Sequence, residues 1–392
     1  MKKEITQEPG VLPSQALLSL IEAGAITAAN GEARFPKEQI QPASIDLRLG
    51  GKAYRLQSSF LPQADTVRNK MKDLVMYELS LADGAILERG AVYLIPLMEE
   101  LRLAPWARGK TNPKSSTGRL DVFTRVITDN CTRFEEIAPG YRGELFLEVV
   151  PRSFTIKVTA GQRLNQLRLF AGGGPSAPSG EGQKPGIIGS ELADLYHSQK
   201  LLFGPDGKFI AEPMGRLVED GLLMGVDLAD QNGGPIGYKA KKNSHVIDLS
   251  QVGLYCAEDF WEPICPPKGG RLILEPEEFY IFASKERIRV PIHRAAEMVE
   301  FDAGSGELRT HYAGFFDPGF GYGGKGEVTG TKAVLEVRPH DVPFIIEDGQ
   351  ILFKMKYERM SQAPDIWYGA QIGSNYHDQA LRLAKQFRWM AE

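Results

Sequence analysis

The chain of 392 residues is long enough for about two domains, and a hydrophobic content of 42% provides a core large enough to exclude global disorder. A net charge of -4, with both signs mixed along the chain, argues against a protein that coats nucleic acid, which needs a basic excess. The three cysteines, Cys131, Cys256 and Cys265, are odd in number and show no CxxC spacing, so neither a disulfide framework nor a structural zinc site is expected. The opening MKKEITQEPG has lysines but no apolar run behind them, and no run along the chain approaches the roughly 18 residues of a membrane span. A soluble, cytoplasmic protein without a membrane partner is the expectation.

Residues 1–10 read as a loose tail. Pro13-Ser14 opens a predicted helix, with Ala16, Leu17, Leu18, Leu20 and Ile21 at helical spacing and Gly24 to end it. From Ser44, S-I-D-L-R-L-G alternates apolar and polar residues as a half-buried strand does. Residues 61–74 are mixed and polar, and read as a loop or insertion. Strands are predicted over 74–79, 84–87, 91–97, 122–127, 144–150, 154–158 and 164–170, with turns at the spacing of an all-β barrel or sandwich. Residues 171–190 form a Gly/Pro/Ser-rich linker, and 191–223 look partly helical. Short strands return from Gly225 to Tyr357. A last helix is predicted from Asn375 to Trp389, with Leu381, Ala384 and Phe387 on one face.

The second half repeats the first. G-E-L-F-L-E-V-V-P-R-S-F-T-I-K-V-T-A-G-Q-R-L matches T-K-A-V-L-E-V-R-P-H-D-V-P-F-I-I-E-D-G-Q-I-L without a gap. Glu148 falls on Glu336, Pro151 on Pro339, and Gly161-Gln162 on Gly349-Gln350. Upstream, I-L-E-R-G-A-V-Y-L-I matches I-L-E-P-E-E-F-Y-I-F, and S-I-D-L-R-L matches G-V-D-L-A-D more weakly. Leu195-Tyr196-His197-Ser198-Gln199 resembles Asn375-Tyr376-His377-Asp378-Gln379. Shared turn chemistry alone would not keep the same element order without a gap. The expected fold is mainly β: two tandem copies of one β-barrel or sandwich domain with short helices. Their bounds are 1–174 and 221–392, with a linker and helical segment over 175–220.

Chemistry concentrates between Asn112 and Phe170. Lys114-Ser115-Ser116-Thr117-Gly118-Arg119 offers hydroxyls, turn N–H groups and two cations, a cradle suited to phosphate oxygens, although a solvated loop has the same composition. On E-L-F-L-E-V-V, Glu148 shares a face with Glu144 and Phe146. That is either a solvent face or the place of a general acid/base against a nucleobase. Gly140-Tyr141-Arg142-Gly143 reads as a tight turn whose backbone could meet a base edge, or as a plain hairpin. The histidines, His197, His245, His293, His311, His340 and His377, lack H-x-E and HExxH spacing, and the zinc deaminase signature is absent. Gly321 to Gly330 is Gly-rich but reads as a hairpin loop, not a dinucleotide fingerprint.

The order S-I-D-L-R-L-G, S-S-x-x-R, P-G-Y-x-G-x-L-x-L-E and A-G-x-R-L-x-Q-L resembles the dCTP deaminase branch of the dUTPase-like superfamily. The likeness covers most of residues 11–200 and, more weakly, 221–386. It implies dUTPase-like domains in a trimer or pseudo-trimeric assembly, with active sites between subunits. It implies conversion of dCTP to dUTP and ammonia without zinc, within pyrimidine deoxynucleotide (dUMP/dTTP) biosynthesis. Mg2+ would ride on the triphosphate, so no protein metal ligands are implied. dCTP and dUTP are the implied ligands, and dTTP inhibition is left open. Ser115, Arg119 and Glu148 match the family's catalytic residues, and Ser116 belongs to its phosphate-binding turn. Lys114 stands where an arginine is usual and loses the bidentate fork. Gln166 matches the glutamine of the Q-L strand.

The departures are complementary. Ala138 replaces the aspartate of the family's D-P-G, which repeat two keeps as Asp317-Pro318-Gly319. His311 falls near the family's histidine, where repeat one has Arg125. Repeat two lacks S-S-x-x-R, with Asp302 to Glu307 in that region, yet keeps Tyr368 and Gln379 at the spacing of residues that contact the triphosphate. Repeat one has Gln199 but Ile188, and both repeats lack the tail lysine, having Leu195 and Asn375. These losses imply a composite site with Ser115, Ser116 and Arg119 from repeat one and Asp317, Glu336, Tyr368 and Gln379 from repeat two. A simpler version keeps Glu148 as the catalytic glutamate. Two rivals remain: a dUTPase or bifunctional dUMP-forming enzyme that uses Asp317, and a non-catalytic nucleotide-binding regulator.

Overall fold

The computed structural model describes residues 8–28, 35–172, 185–229, 233–300, 308–309, 314–369 and 381–388. The chain divides into two compact units. The first holds Met1–Pro185, His245–Val252 and Met360–Asp365; the second holds Gly186–Ser244, Gly253–Arg359 and Ile366–Glu392.

In the first unit one sheet runs in the order Val75–Ser80, Lys52–Leu56, Val92–Arg102, Arg142–Pro151, Val122–Ile127, with Ile26–Ala28 also on Val92–Arg102. A second sheet runs Gly10–Val11, Arg163–Ala171, Ala107–Pro113, Glu136–Ile137, with Ile45–Arg48 also on Arg163–Ala171. Arg142–Pro151 is buried on both faces: Leu145, Leu147 and Val149 on one, Phe146 and Glu148 on the other, all at 0% exposure. Its leucine–glutamate alternation therefore does not mark a solvent face. Ala107–Pro113 escaped the sequence reading because its residues, A-R-G-K-T-N-P, are polar; it is a strand through pairing, with Asn112 opposite Gln166. The expected loop over 61–74 holds a short helix, Val67–Met71, whose cap Thr66 accepts the Asn69 N–H at 3.2 Å. Val67 and Met71 pack on Leu56, Leu94, Ile127 and Phe146, so two apolar positions at helical spacing outweigh the polar remainder.

The second unit repeats the topology. Its sheets run Trp261–Ile264, Gly237–Ala240, Tyr280–Ile288, Thr331–Pro339, Leu308–Arg309, and Leu217–Val218, Gly221–Gly225, Ile351–Arg359, Arg294–Glu300, Phe315–Phe316. The helix Gly189–Gln199 buries Leu192, Leu195 and Tyr196 in this unit's core with Leu222, Met224 and Phe282. Of the helix expected over 375–389, residues 375–380 and 389 lie outside the described residues, and 381–388 are not helical: Phe387 forms a bridge with Tyr255 and meets Phe260 and Trp261 edge-on.

The same backbone bonds recur in both units and correct one part of the sequence alignment between them. Gly161 N–H donates to Leu49 O and Leu49 N–H to Gln162 O, as Gly349 does to Val226 O and Val226 to Gln350 O. Leu49 therefore corresponds to Val226. Asp46 sits opposite Gln166 where Leu223 sits opposite Lys354, so the weak match of Asp46 with Asp227 is out of register. A D-L pair recurring a few residues later produced it.

Candidate functional site

The Ser115 turn grows from the end of Ala107–Pro113. Lys114 N–H donates to Leu164 O at 2.9 Å, and Thr117 and Gly118 N–H close on Lys114 O at 2.8 and 3.0 Å, forming the short helix Ser115–Gly118. Ser115 is exposed, Ser116 half-buried and Arg119 buried. Lys114 Nζ reaches both carboxylate oxygens of Asp46 at 2.5 Å. Arg163 lies 3.7 Å from the same carboxylate. Gln166 is opposite both Asp46 and Asn112, accepts the Ser44 hydroxyl at 3.2 Å and points its amide at Pro113 O, 3.5 Å away. The turn, Lys114 and Gln166 thus come together, with Asp46 beneath them. Asp46 is the member that sequence reasoning missed; its signal is a buried acid within S-I-D-L.

Past Arg119 the chain enters Val122–Ile127, which sets Arg125 directly opposite Glu148. Arg125 donates to Glu148 Oε1 from Nε at 3.0 Å and from Nη2 at 2.5 Å, and Nη2 also donates to Ser59 Oγ at 2.8 Å. Its guanidinium lies over Phe134 at 3.6 Å and Phe123 at 4.6 Å. Glu148 Oε2 is buried and takes no hydrogen bond. In the following hairpin Gly140 has φ +71°, the left-handed value its turn requires. Tyr141 Oη donates to Glu144 O at 2.6 Å, and burial pushes its phenol up from the ordinary range.

In the second unit the same turn carries an acid. Leu103 N–H bonds Tyr141 O, and Val290 N–H bonds Phe320 O; Tyr141 N–H bonds Ala138 O, and Phe320 N–H bonds Asp317 O. Ala138 and Asp317 are therefore equivalent. Tyr368 N–H donates to Pro318 O at 2.7 Å, and its ring lies 5.5 Å from Phe320, so Tyr368 packs on the Asp317 turn. Glu336 is 8% exposed and stands opposite Ile281 as Glu148 stands opposite Leu94. Gln199, despite its likeness to Gln379, lies in the second unit and accepts the Tyr322 hydroxyl at 2.7 Å. The Gly321–Gly330 stretch closes as a hairpin, with Val328 bonded to Tyr322 and Gly330 to Gly321. Gln379, His311 and 302–307 lie outside the described residues. Among the described residues no three His, Cys, Asp or Glu side chains are grouped to hold a metal ion.

Residues 8–173 match the family described as the 2'-deoxycytidine 5'-triphosphate deaminase (DCD) N-terminal domain, and residues 190–387 match its C-terminal domain. The crystal structure of 2'-deoxycytidine 5'-triphosphate deaminase from Agrobacterium tumefaciens is 41% identical. That likeness covers 91% of this chain and 100% of that one, with a TM-score of 0.79. "dCTP deaminase, dUMP-forming" of Corynebacterium glutamicum is 28% identical over 151 residues, 38% of this chain and 77% of the relative. "dCTP deaminase" of Natronomonas pharaonis is 27% identical over 135 residues, 34% of this chain and 66% of the relative.

Proposed function

We propose how a chain that belongs to the dCTP deaminase family, and is a hydrolase that deaminates dCTP, carries out its reaction. Water adds to C4 of cytosine while a strand carboxylate takes its proton and returns it to N3 or to the departing amine. The C4–N4 bond breaks, and dCTP and water become dUTP and ammonia. The chemistry needs one such carboxylate; the chain holds two in matched register, Glu148 and Glu336.

Ser115 and Arg119 orient the water and the carboxylate. Lys114, Ser116 and Gln166 fix the triphosphate, so little entropy is lost at the chemical step. Hairpin N–H groups stabilise the charge that develops on the ring. Mg2+ on the triphosphate would neutralise part of its charge; the Ser115 turn, with Lys114 beside it, suits an ion carried by the nucleotide better than one held by the protein. We further place the enzyme in the cytoplasm as a trimer or pseudo-trimer, with dTTP as an inhibitor. Sedimentation and a dTTP titration test those points.

The observation that carries this reading is the Lys114–Asp46–Gln166 arrangement under an exposed Ser115. A phosphate cradle needs its cation held and its hydroxyl open. Incubation of dCTP with Mg2+, with ammonia and nucleotides quantified, tests it: ammonia and dUTP should appear in equal amounts. Absence of ammonia would favour a nucleotide-binding regulator. A second reading, dUMP formation, draws on Asp317 in its turn beside Tyr368 and would release pyrophosphate in step with ammonia.

A further inference from the structure

One hairpin is longer in the second unit than in the first. Gly143 stands opposite Leu101 as Thr331 stands opposite Ile288, and the Ala138 turn matches the Asp317 turn. Between these fixed points the first unit has Arg142 alone after Tyr141, and the second has Gly321–Gly330 after Phe320. The added loop is pinned in place. Its Tyr322 hydroxyl donates to Gln199 Oε1 at 2.7 Å. Arg289 donates to it from Nε to Val328 O at 2.6 Å and from Nη2 to Gly326 O at 2.9 Å. Together with the end of the helix Gly189–Gln199, the loop lines a cavity of about 520 Å³, and every residue around that cavity belongs to the second unit.

Three cations line the cavity, Lys200, Lys325 and Arg289, against one acid, Glu327. The acid is engaged by its own loop: its oxygens accept the Gly324 N–H at 3.2 Å and the Lys325 N–H at 2.7 Å. Arg289 is 7% exposed, and its guanidinium lies over Phe203 at 4.5 Å. Its hydrogen bonds end on neutral carbonyl oxygens, the two above and Gln199 O at 3.3 Å. Carbonyl dipoles offset a buried cation in part, and an anion brought beside it adds a charge-assisted bond. Lys200 and Lys325 are exposed, as the outer cations of an anion site must be. Phe209 and Tyr322, both half-buried, line the same cavity, whose volume suits a ring-bearing molecule better than a bare ion.

We infer that this cavity is a second binding site, for a small phosphate ester that carries a planar ring, such as a nucleoside monophosphate. Lys200, Lys325 and Arg289 meet the phosphate, and Phe209 and Tyr322 meet the ring. The site goes beyond the deaminase reading and does not depend on it, since the cavity shares no residue with the Ser115 turn or the Asp317 turn.

Titration calorimetry with adenosine monophosphate, adenosine and inorganic phosphate tests it on the parent chain, K200E/K325E and S115E. The parent should bind adenosine monophosphate, and adenosine and phosphate each about tenfold or more weakly. K200E/K325E reverses two exposed charges and should weaken adenosine monophosphate by about tenfold or more, with an unchanged melting temperature. S115E sets a carboxylate in the phosphate turn of the first unit and should leave that affinity as it was. No binding by the parent, parent-like affinity in K200E/K325E, or loss confined to S115E would overturn the inference. Phosphate bound as tightly as adenosine monophosphate would remove the ring from it. Should K200E/K325E fail to fold, salt decides: an affinity of the parent that does not fall as ionic strength rises would rule out the lysines.

Discussion

The two units keep one set of contacts and change another. Tyr93 Oη accepts the Glu88 N–H at 3.1 Å, and Tyr280 Oη accepts the Glu275 N–H at 2.9 Å. Gln162 Oε1 takes the Thr159 N–H at 3.0 Å, and Gln350 Oε1 takes the Glu347 N–H at 2.9 Å. Glu99 caps the Arg48 N–H and Glu286 caps the Gly225 N–H, both at 2.8 Å. These side chains satisfy backbone donors, and losing Glu99 or Glu286 would strand a buried N–H. The residues proposed to meet the nucleotide diverge instead: Asp46 becomes Leu223, Gln166 becomes Lys354 and Ala138 becomes Asp317. Scaffold contacts are needed twice for folding, whereas each catalytic part is needed once per reaction.

The largest expected effect breaks that division of labour. If the first unit alone supplies the phosphate and water-orienting turn, Ser115→Ala and Arg119→Gln should each lower kcat/KM by about 10²–10³-fold, the cost of one lost charge-stabilising donor. Ammonia release against dCTP concentration measures this. A loss below tenfold would mean that the second unit carries an equivalent turn.

The next effect compares two buried carboxylates that play the same part in the two units, Glu99 and Glu286. Glu99→Ala removes one half of a buried ion pair with Arg48, whose side chain is 8% exposed, and should cost about 3–5 kcal/mol in urea unfolding. Glu286→Ala leaves Arg216, 23% exposed and able to hydrate, and should cost about 1–3 kcal/mol. Burial raises the pKa of both carboxyls despite the arginines beside them. A raised folded-state pKa means that their contribution is full below the ordinary glutamate value of 4.5 and is lost as pH rises through the folded value. Urea midpoints of Glu99→Gln and Glu286→Gln should therefore vary less with rising pH than the parent's. A steeper dependence would reverse the sign.

Much of the fold was legible. The apolar alternation around Val122–Ile127 and Arg163–Ala171 marks strands because cores select for it, and the ungapped repeat marks two copies of one topology. Ala107–Pro113 was not, because its polar residues are buried through pairing with distant strands; Lys52–Leu56 and Val67–Met71 were not, because each buries only two apolar positions, Ala53 with Leu56 and Val67 with Met71. The candidate site divides the same way. Ser115, Arg119 and Glu148 could be picked out as residue types in motifs. That Lys114 is held by Asp46, and Glu148 by Arg125, depends on cross-strand register, which a weak four-residue slip in the repeat alignment obscures.

The smallest effect tests whether the matched turns are alike in energy as well as in hydrogen bonding. Gly140 and Gly319 occupy one position, with φ of +71° and +92°. Any other residue there carries a left-handed strain of roughly 1–2 kcal/mol. An added Cβ at Gly140 would meet Pro105 Cα at 3.4 Å, an ordinary contact, so Gly140→Ala should cost the strain alone. At Gly319 the Cβ would lie 2.9 Å from Tyr368 O, too close without a backbone shift. Gly319→Ala should therefore melt earlier than Gly140→Ala. Because the shift falls on Tyr368, it should also raise the KM for dCTP, while Gly140→Ala leaves KM unchanged. Equal melting losses with unchanged KM in both variants would show that Tyr368 does not depend on the Asp317 turn for its place, and would remove it from the nucleotide's binding residues.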